Sequence, residues 1–128
     1  MANPSKAKGT RAETKVARYL TVHGVPAKRK ALAGSDDEGD LCMLVHGAEV
    51  AAEVKAGKQT YNYSRSQLEE WQRQAMVESL NSGCPAVLII VRYRRRLEDC
   101  EVWIPCEEWG ELGWTMVHLD DYARKMGG

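Results

Sequence analysis

Asp40 and, further along, Glu53-Val54-Lys55 combine residue types that can hold a metal and move a proton. Between them runs an apolar stretch interrupted at His46-Gly47. If those two residues form a tight hairpin turn, Val45 faces Ala48 and Asp40 lies opposite Glu53. Side chains alternate along a strand, so Lys55 shares the face of Glu53. The other face carries Leu41, Met43, Val45, Val50, Ala52 and Val54, all suited to a core. Two carboxylates close together on a half-buried sheet repel each other and lose hydration. A divalent cation held by oxygen ligands would offset that cost. The plainer reading makes Asp40 a turn residue after Gly39, with Glu53 and Lys55 on a solvated edge. Convergence of all three charged groups on one side of an apolar hairpin favours a site.

The flanking elements must hold that hairpin. A helix is expected from near Thr10 to Gly24: Thr10-Arg11-Ala12-Glu13 fits a capping box, and Ala12, Val16, Tyr19, Leu20 and His23 recur at helical spacing. On this reading Glu13 is first of all a cap. Residues 1–8 read as a mobile basic tail. Residues 25–33 read as a strand with a basic centre, Lys28-Arg29-Lys30, and residues 33–39 as a polar acidic loop. After the hairpin, residues 56–63 form a connector with Lys58, Tyr61 and Tyr63. A second helix follows, capped by Ser64 or Ser66, with an apolar stripe of Leu68, Trp71, Ala75, Met76 and Leu80, and closed by Gly83. Residues 86–91 are apolar throughout, as in a strand buried on both faces. Arg92-Tyr93 and the turn Arg94-Arg95-Arg96 come next, then a strand over residues 100–104. Pro105 is expected to open a short helical turn through residue 109. A strand over 114–119 and a helix over 120–126 complete the reading. The core order is α-β-β-β-α-β-β, an α/β sandwich with a mixed sheet.

The chain has 128 residues, enough for one domain with a real core. Its 18 basic and 18 acidic residues cancel, but residues 1–34 are strongly basic and 97–128 strongly acidic. Such a split suits a polyanion bound on one side. Cys42, Cys84, Cys100 and Cys106 form no CxxC pair, and His23, His46 and His118 cluster with none of them, which argues against zinc. The thiols read as reduced and the protein as cytoplasmic. No apolar run reaches membrane-spanning length.

Asp40 followed by Glu53-Val54-Lys55 resembles the Asp…Glu-x-Lys signature of the PD-(D/E)XK nuclease superfamily. Lys8-Gly9-Thr10-Arg11-Ala12-Glu13, His23-Gly24, Ala33-Gly34-Ser35 and the apolar strand ending in Arg92-Tyr93 are similar to archaeal-type Holliday-junction resolvases. The resemblance covers roughly residues 8–104 and leaves 105–128 as a carboxy-terminal extension of the single domain spanning 9–128. It implies a restriction-endonuclease-like core, with a mixed central sheet flanked by helices. It also implies a Mg²⁺ or Mn²⁺ ion on Asp40, Glu53 and the Val54 carbonyl, reached by Glu13 directly or through water. Lys55 would orient or deprotonate the attacking water, and Ser35 would stand near the scissile strand. Departures are Gly39 where a proline is usual, Thr14 where close relatives have arginine, and a longer acidic loop. Asp36, Asp37 and Glu38 in that loop either repel DNA or lend a metal ligand.

The activity implied is phosphodiester hydrolysis in branched DNA, four-way junctions above all, by a homodimer. Lys8, Arg11, Lys28, Arg29, Lys30, Lys58, Arg92 and Arg94 are the candidate DNA contacts. Tyr61 and Tyr63 can stack on exposed bases, or at least one of them packs. The second helix, through Trp71 and Met76, serves a dimer interface or the core. Alternatives are a nuclease of the same fold for flaps, single strands or ends, a silent DNA-binding module, and an α/β interaction protein with surface charges.

Overall fold

His46 (φ 50) and Gly47 (φ 83) both adopt positive φ, as a two-residue type I′ turn requires. The turn sets the register of strand β2 (Asp40–Val45) on β3 (Ala48–Lys55), which pairs Val45 with Ala48 and Asp40 with Glu53. In the computed structural model, residues 4–30, 40–108 and 110–127 are described, with side chains over 11–30, 41–107 and 110–127. Helix α1 (Pro4–Val22) and strand β1 (Ala27–Arg29) precede the hairpin. Helix α2 (Arg65–Ser82), β4 (Ala86–Ile90), β5 (Glu101–Glu108), β6 (Glu111–His118) and helix α3 (Leu119–Gly127) follow it. Among the described residues, six strands lie in one sheet in sequence order, and only β3 and β4, joined through α2, are parallel.

The hairpin's apolar set divides the molecule as its alternation demands. Leu41, Met43, Ala52 and Val54 face a core shared with Val16, Ala17 and Leu20 of α1 and Leu119, Tyr122 and Ala123 of α3. On the opposite face, Trp71 and Ala75 of α2 pack on Leu88 and Ile90, with Tyr63, Leu68, Trp103 and Trp114 at the margin. β4 is buried at every position because helices cover both its faces. The Ser64 hydroxyl caps α2 by accepting from Gln67 N–H at 3.1 Å, and Gly83 (φ 74) closes the helix.

Four expectations are corrected. α1 starts at Pro4, not near Thr10, so Glu13 lies in mid-helix and is no cap. Proline is tolerated at the first helical position, and Lys6, Ala7 and Lys8 favour helix, so residues 4–8 belong to the helix. Residues 1–3 and the loop 31–39 lie outside the described residues. β1 is confined to Ala27–Arg29 among the described residues. Leu80 is 82% exposed and Glu78 is buried. At about 100° per residue, Leu80 stands about 180° round the helix from Trp71, whereas residue 78 falls on Trp71's side. Pro105 opens no helical turn: it lies within β5, opposite Trp114. Pairing with β4 ends at Trp103, so from there β5 has one free edge among the described residues, where a missing N–H is tolerated. The carboxy-terminal segment therefore completes the sheet with β6 and the core with α3.

Candidate active site

Strand direction gathers the polar residues. β1, β3 and β4 run one way and β2 and β5 the other, so Arg29, Asp40, Lys55, Arg92 and Glu101 come to the same end of the sheet. Ligands of open α/β sheets bind outside the carboxyl ends of such strands.

Within the hairpin, the backbone fixes how Asp40 and Glu53 meet. Ala51 N–H donates to Pro85 O and Val91 N–H to Lys55 O, each at 2.8 Å. Residues 51, 53 and 55 therefore turn their backbone polar groups to β4, and the alternate residues turn theirs to β2. The Asp40–Glu53 pair is consequently a non-hydrogen-bonded one, the closer kind, with Cα atoms about 4.5 Å apart. The same alternation turns the Val54 carbonyl toward the strand of Asp40, where the assigned pairing ends. Glu53 is buried, and Lys55 Nζ lies 3.2 Å from its Oε1, the one polar contact Glu53 makes among the described side chains. A carboxylate offers about four lone-pair sites, so Glu53 retains acceptor capacity. Hard oxygen donors beside a lysine fit Mg²⁺ or Mn²⁺ rather than a soft metal. Among the described side chains, which do not include that of Asp40, no three His, Cys, Asp or Glu groups stand at metal-binding spacing.

On the same face, Glu101 sits beyond Lys55 across Ile90. No local pattern in the sequence marks its importance. Tyr63 Oη–H donates to its Oε1, Trp103 Nε1–H donates to the same oxygen at 3.1 Å, and Arg92 Nη1–H donates to Oε2 at 2.6 Å. Burial alone would raise this carboxyl's pKa; the three hydrogen bonds outweigh burial and hold it below the usual range. Burial and the bond to Glu101 push the Tyr63 phenol up to about 12. Arg92 also lies over the Tyr63 ring, 5.1 Å from its centroid, and its Nη2–H reaches Tyr61 O at 3.1 Å. Its Nε is buried without a hydrogen-bond partner among the described residues.

A buried hydroxyl completes this support. Thr60 Oγ1 lies 2.9 Å from both Gly57 O and Val91 O, and accepts from Tyr93 N–H at 2.8 Å. The connector that follows Lys55 is thus tied to the end of β4. The Gly57–Thr60 spacing gave a local hint, but the link to residues 91–93 requires the fold.

The other candidate residues are distributed as follows. Glu13 is buried in α1, with Arg29 Nε–H donating to it at 2.9 Å, so a candidate metal ligand and a candidate DNA contact form an ion pair. Lys30 Nζ donates to the buried Glu78 at 3.1 Å, tying the end of β1 to α2. Arg11, Lys28, Lys58 and Arg94 are exposed. Tyr63 packs against Trp71 at 5.4 Å, whereas Tyr61 is 64% exposed. Trp71 is buried in the core with Ala75, Leu88 and Ile90, and Met76 is half-buried. Ser35, the acidic loop and the Lys8 side chain lie outside the described residues.

Neither a family model nor a curated protein matches the chain. Among solved structures, Hjc of Archaeoglobus fulgidus, a Holliday junction resolvase from an archaeal hyperthermophile, is similar to it. The TM-score is 0.50 at 17% identity, over 92% of this chain and 93% of that one. The likeness shows a resolvase-like α/β fold. It extends beyond residues 8–104, since 92% of the chain takes in part of residues 105–128.

Proposed function

We propose that the chain is a metal-dependent endonuclease that hydrolyses phosphodiester bonds in branched DNA, a resolvase of four-way junctions. The observation that carries this reading is the close, non-hydrogen-bonded pairing of Asp40 with Glu53, with Lys55 Nζ 3.2 Å from Glu53. Asp40, Glu53 and the Val54 carbonyl would hold Mg²⁺ or Mn²⁺. Bound there, the ion would lower the pKa of a water and polarise a phosphoryl oxygen. Lys55 supplies a point charge beside the metal ligands, where it can orient the nucleophile and offset charge building on the phosphate. Glu53 holds the Lys55 ammonium in place. Glu13 joins the site when Arg29 exchanges its carboxylate for a DNA phosphate, which couples substrate contact to ligand supply. Ser35 completes the expected set.

Lys8, Arg11, Arg29, Lys30, Lys58 and Arg94 would meet phosphates, which gives affinity without base readout. Arg92, held by Glu101, serves this surface by positioning the connector. Two protomers acting on opposed strands would give paired nicks.

Cleavage of a labelled immobile four-way junction, beside a flap and a linear duplex with Mg²⁺, tests the reading. Paired nicks confined to the junction and absent in Asp40→Ala are expected. Cleavage of flaps or single strands instead would retain the chemistry and discard the substrate. A chain that binds DNA and cuts none would be a binding module.

A further inference from the structure

The ends of β3 and β4 carry a feature that hydrolysis does not use. Tyr61 is 64% exposed and meets Tyr93 edge to face, with centroids 6.3 Å apart and planes at 85°. The Arg94 guanidinium lies over Tyr93, 5.3 Å from the ring centroid. Arg94 holds φ at 62, a left-handed conformation unusual for a side chain of this kind and concentrated at functional positions. Lys58, Arg94 and Arg95 are exposed and form no ion pair among the described residues. The backbone beneath is fixed: Tyr61 N–H donates to Lys58 O at 3.0 Å, and its carbonyl accepts from Arg92. Nothing in the core needs the Tyr61 ring, yet its mounting is rigid.

We propose that Tyr61, backed by Tyr93 and flanked by Lys58 and Arg94, forms a stacking site for one unpaired DNA base and its phosphate. A flat ring stacks on any base, and neighbouring cations without acidic partners suit the attached phosphate. A rigidly mounted ring loses little entropy when it is covered. The placement fits a nucleotide beside the bond to be cut. Lys55 O accepts Val91 N–H, so the connector bearing Tyr61 and the segment bearing Tyr93 leave the sheet together, directly past Lys55. The site rests on the nuclease reading. It adds selection for substrates that present an unpaired nucleotide at a branch.

The test uses full-length protein carrying Asp40→Asn, so that DNA is bound without being cut. The probes are four-way junctions with 2-aminopurine at each position around the branch, together with a 2-aminopurine-labelled single strand. Binding should change the fluorescence at one branch position and in the single strand. Tyr61→Leu should abolish that change and weaken single-strand binding roughly 5- to 150-fold, and Tyr61→Trp should preserve both. Tyr61→Leu should leave the salt slope unchanged, whereas Arg94→Ala should reduce it by about one. An unaltered melting temperature establishes that Tyr61→Leu folds. Fluorescence and affinity equal to the parent in Tyr61→Leu would overturn the stacking site. A stacked base in a protein whose wild type cuts no DNA would overturn the nuclease reading while leaving the stacking site in place. Absence of DNA binding would overturn both.

Discussion

Glu53 and Glu101 are buried carboxylates on one face of one sheet, separated by Ile90 and Lys55, yet their surroundings are opposite. Glu101 receives Tyr63, Trp103 and Arg92, which fill three of its roughly four acceptor sites. Glu53 receives Lys55 alone among the described residues, and faces Asp40 across the hairpin. The first arrangement locks strands and connector together. The second retains acceptor capacity and places a second carboxylate beside it. A buried carboxylate becomes a plausible metal ligand when its lone pairs are left to be filled, and burial alone does not make it one.

The largest effect expected from this contrast is on catalysis. Asp40→Asn or Glu53→Gln should lower junction cleavage at least about a thousandfold, equivalent to about 4 kcal/mol of transition-state stabilisation. Without metal, Asp40→Asn should leave the urea midpoint unchanged or raise it, because repulsion between the paired carboxylates is relieved. A fall in the midpoint would mean that Asp40 has a structural role like that of Glu101.

Glu101→Gln should do the reverse. Removing one partner of a buried ion pair costs about 3 kcal/mol, to be read from urea unfolding. The folded fraction should still bind metal.

Tyr63→Phe removes one donor from the same carboxylate and should cost about 1.5 kcal/mol. It should also alter the alkaline limb. Tyr63 and Tyr122 hold their protons to about 12 against an ordinary value of 10.0, so the unfolded chain releases its protons first. Their contribution is therefore full below pH 10 and is lost as pH rises toward 12. Tyr63→Phe should flatten part of that fall and leave the share of Tyr122, as urea midpoints below and within the window will show.

Leu80→Ser should have the smallest effect, within about 0.5 kcal/mol, because the side chain touches little. A larger loss would place Leu80 in an interface.

The difference between the two carboxylates also marks what could be read from the sequence. Asp40, Glu53 and Lys55 were legible because a two-residue turn at His46-Gly47 fixes the register and strand alternation does the rest. Ser64 and Gly83 were legible for the same reason, since caps are local chemistry. Glu101 was not: its donors come from a connector, the end of β4 and β5, and no short window holds them together. Glu78 carries no local mark of burial, because its partner, Lys30, arrives from beyond β1. Pro105 looked like a helix start because only the sheet reveals that β5 has a free edge there. Glu13 was found through the resemblance, but its pairing with Arg29 depends on how α1 crosses β1.

The most direct test of the central claim is calorimetric titration of Mn²⁺ into wild type, Asp40→Asn, Glu53→Gln and Glu101→Gln, each first shown to be folded. Saturable binding by wild type and Glu101→Gln, lost in Asp40→Asn and Glu53→Gln, is the predicted result. Equal Mn²⁺ affinity in wild type and Asp40→Asn would contradict a metal centre at the hairpin.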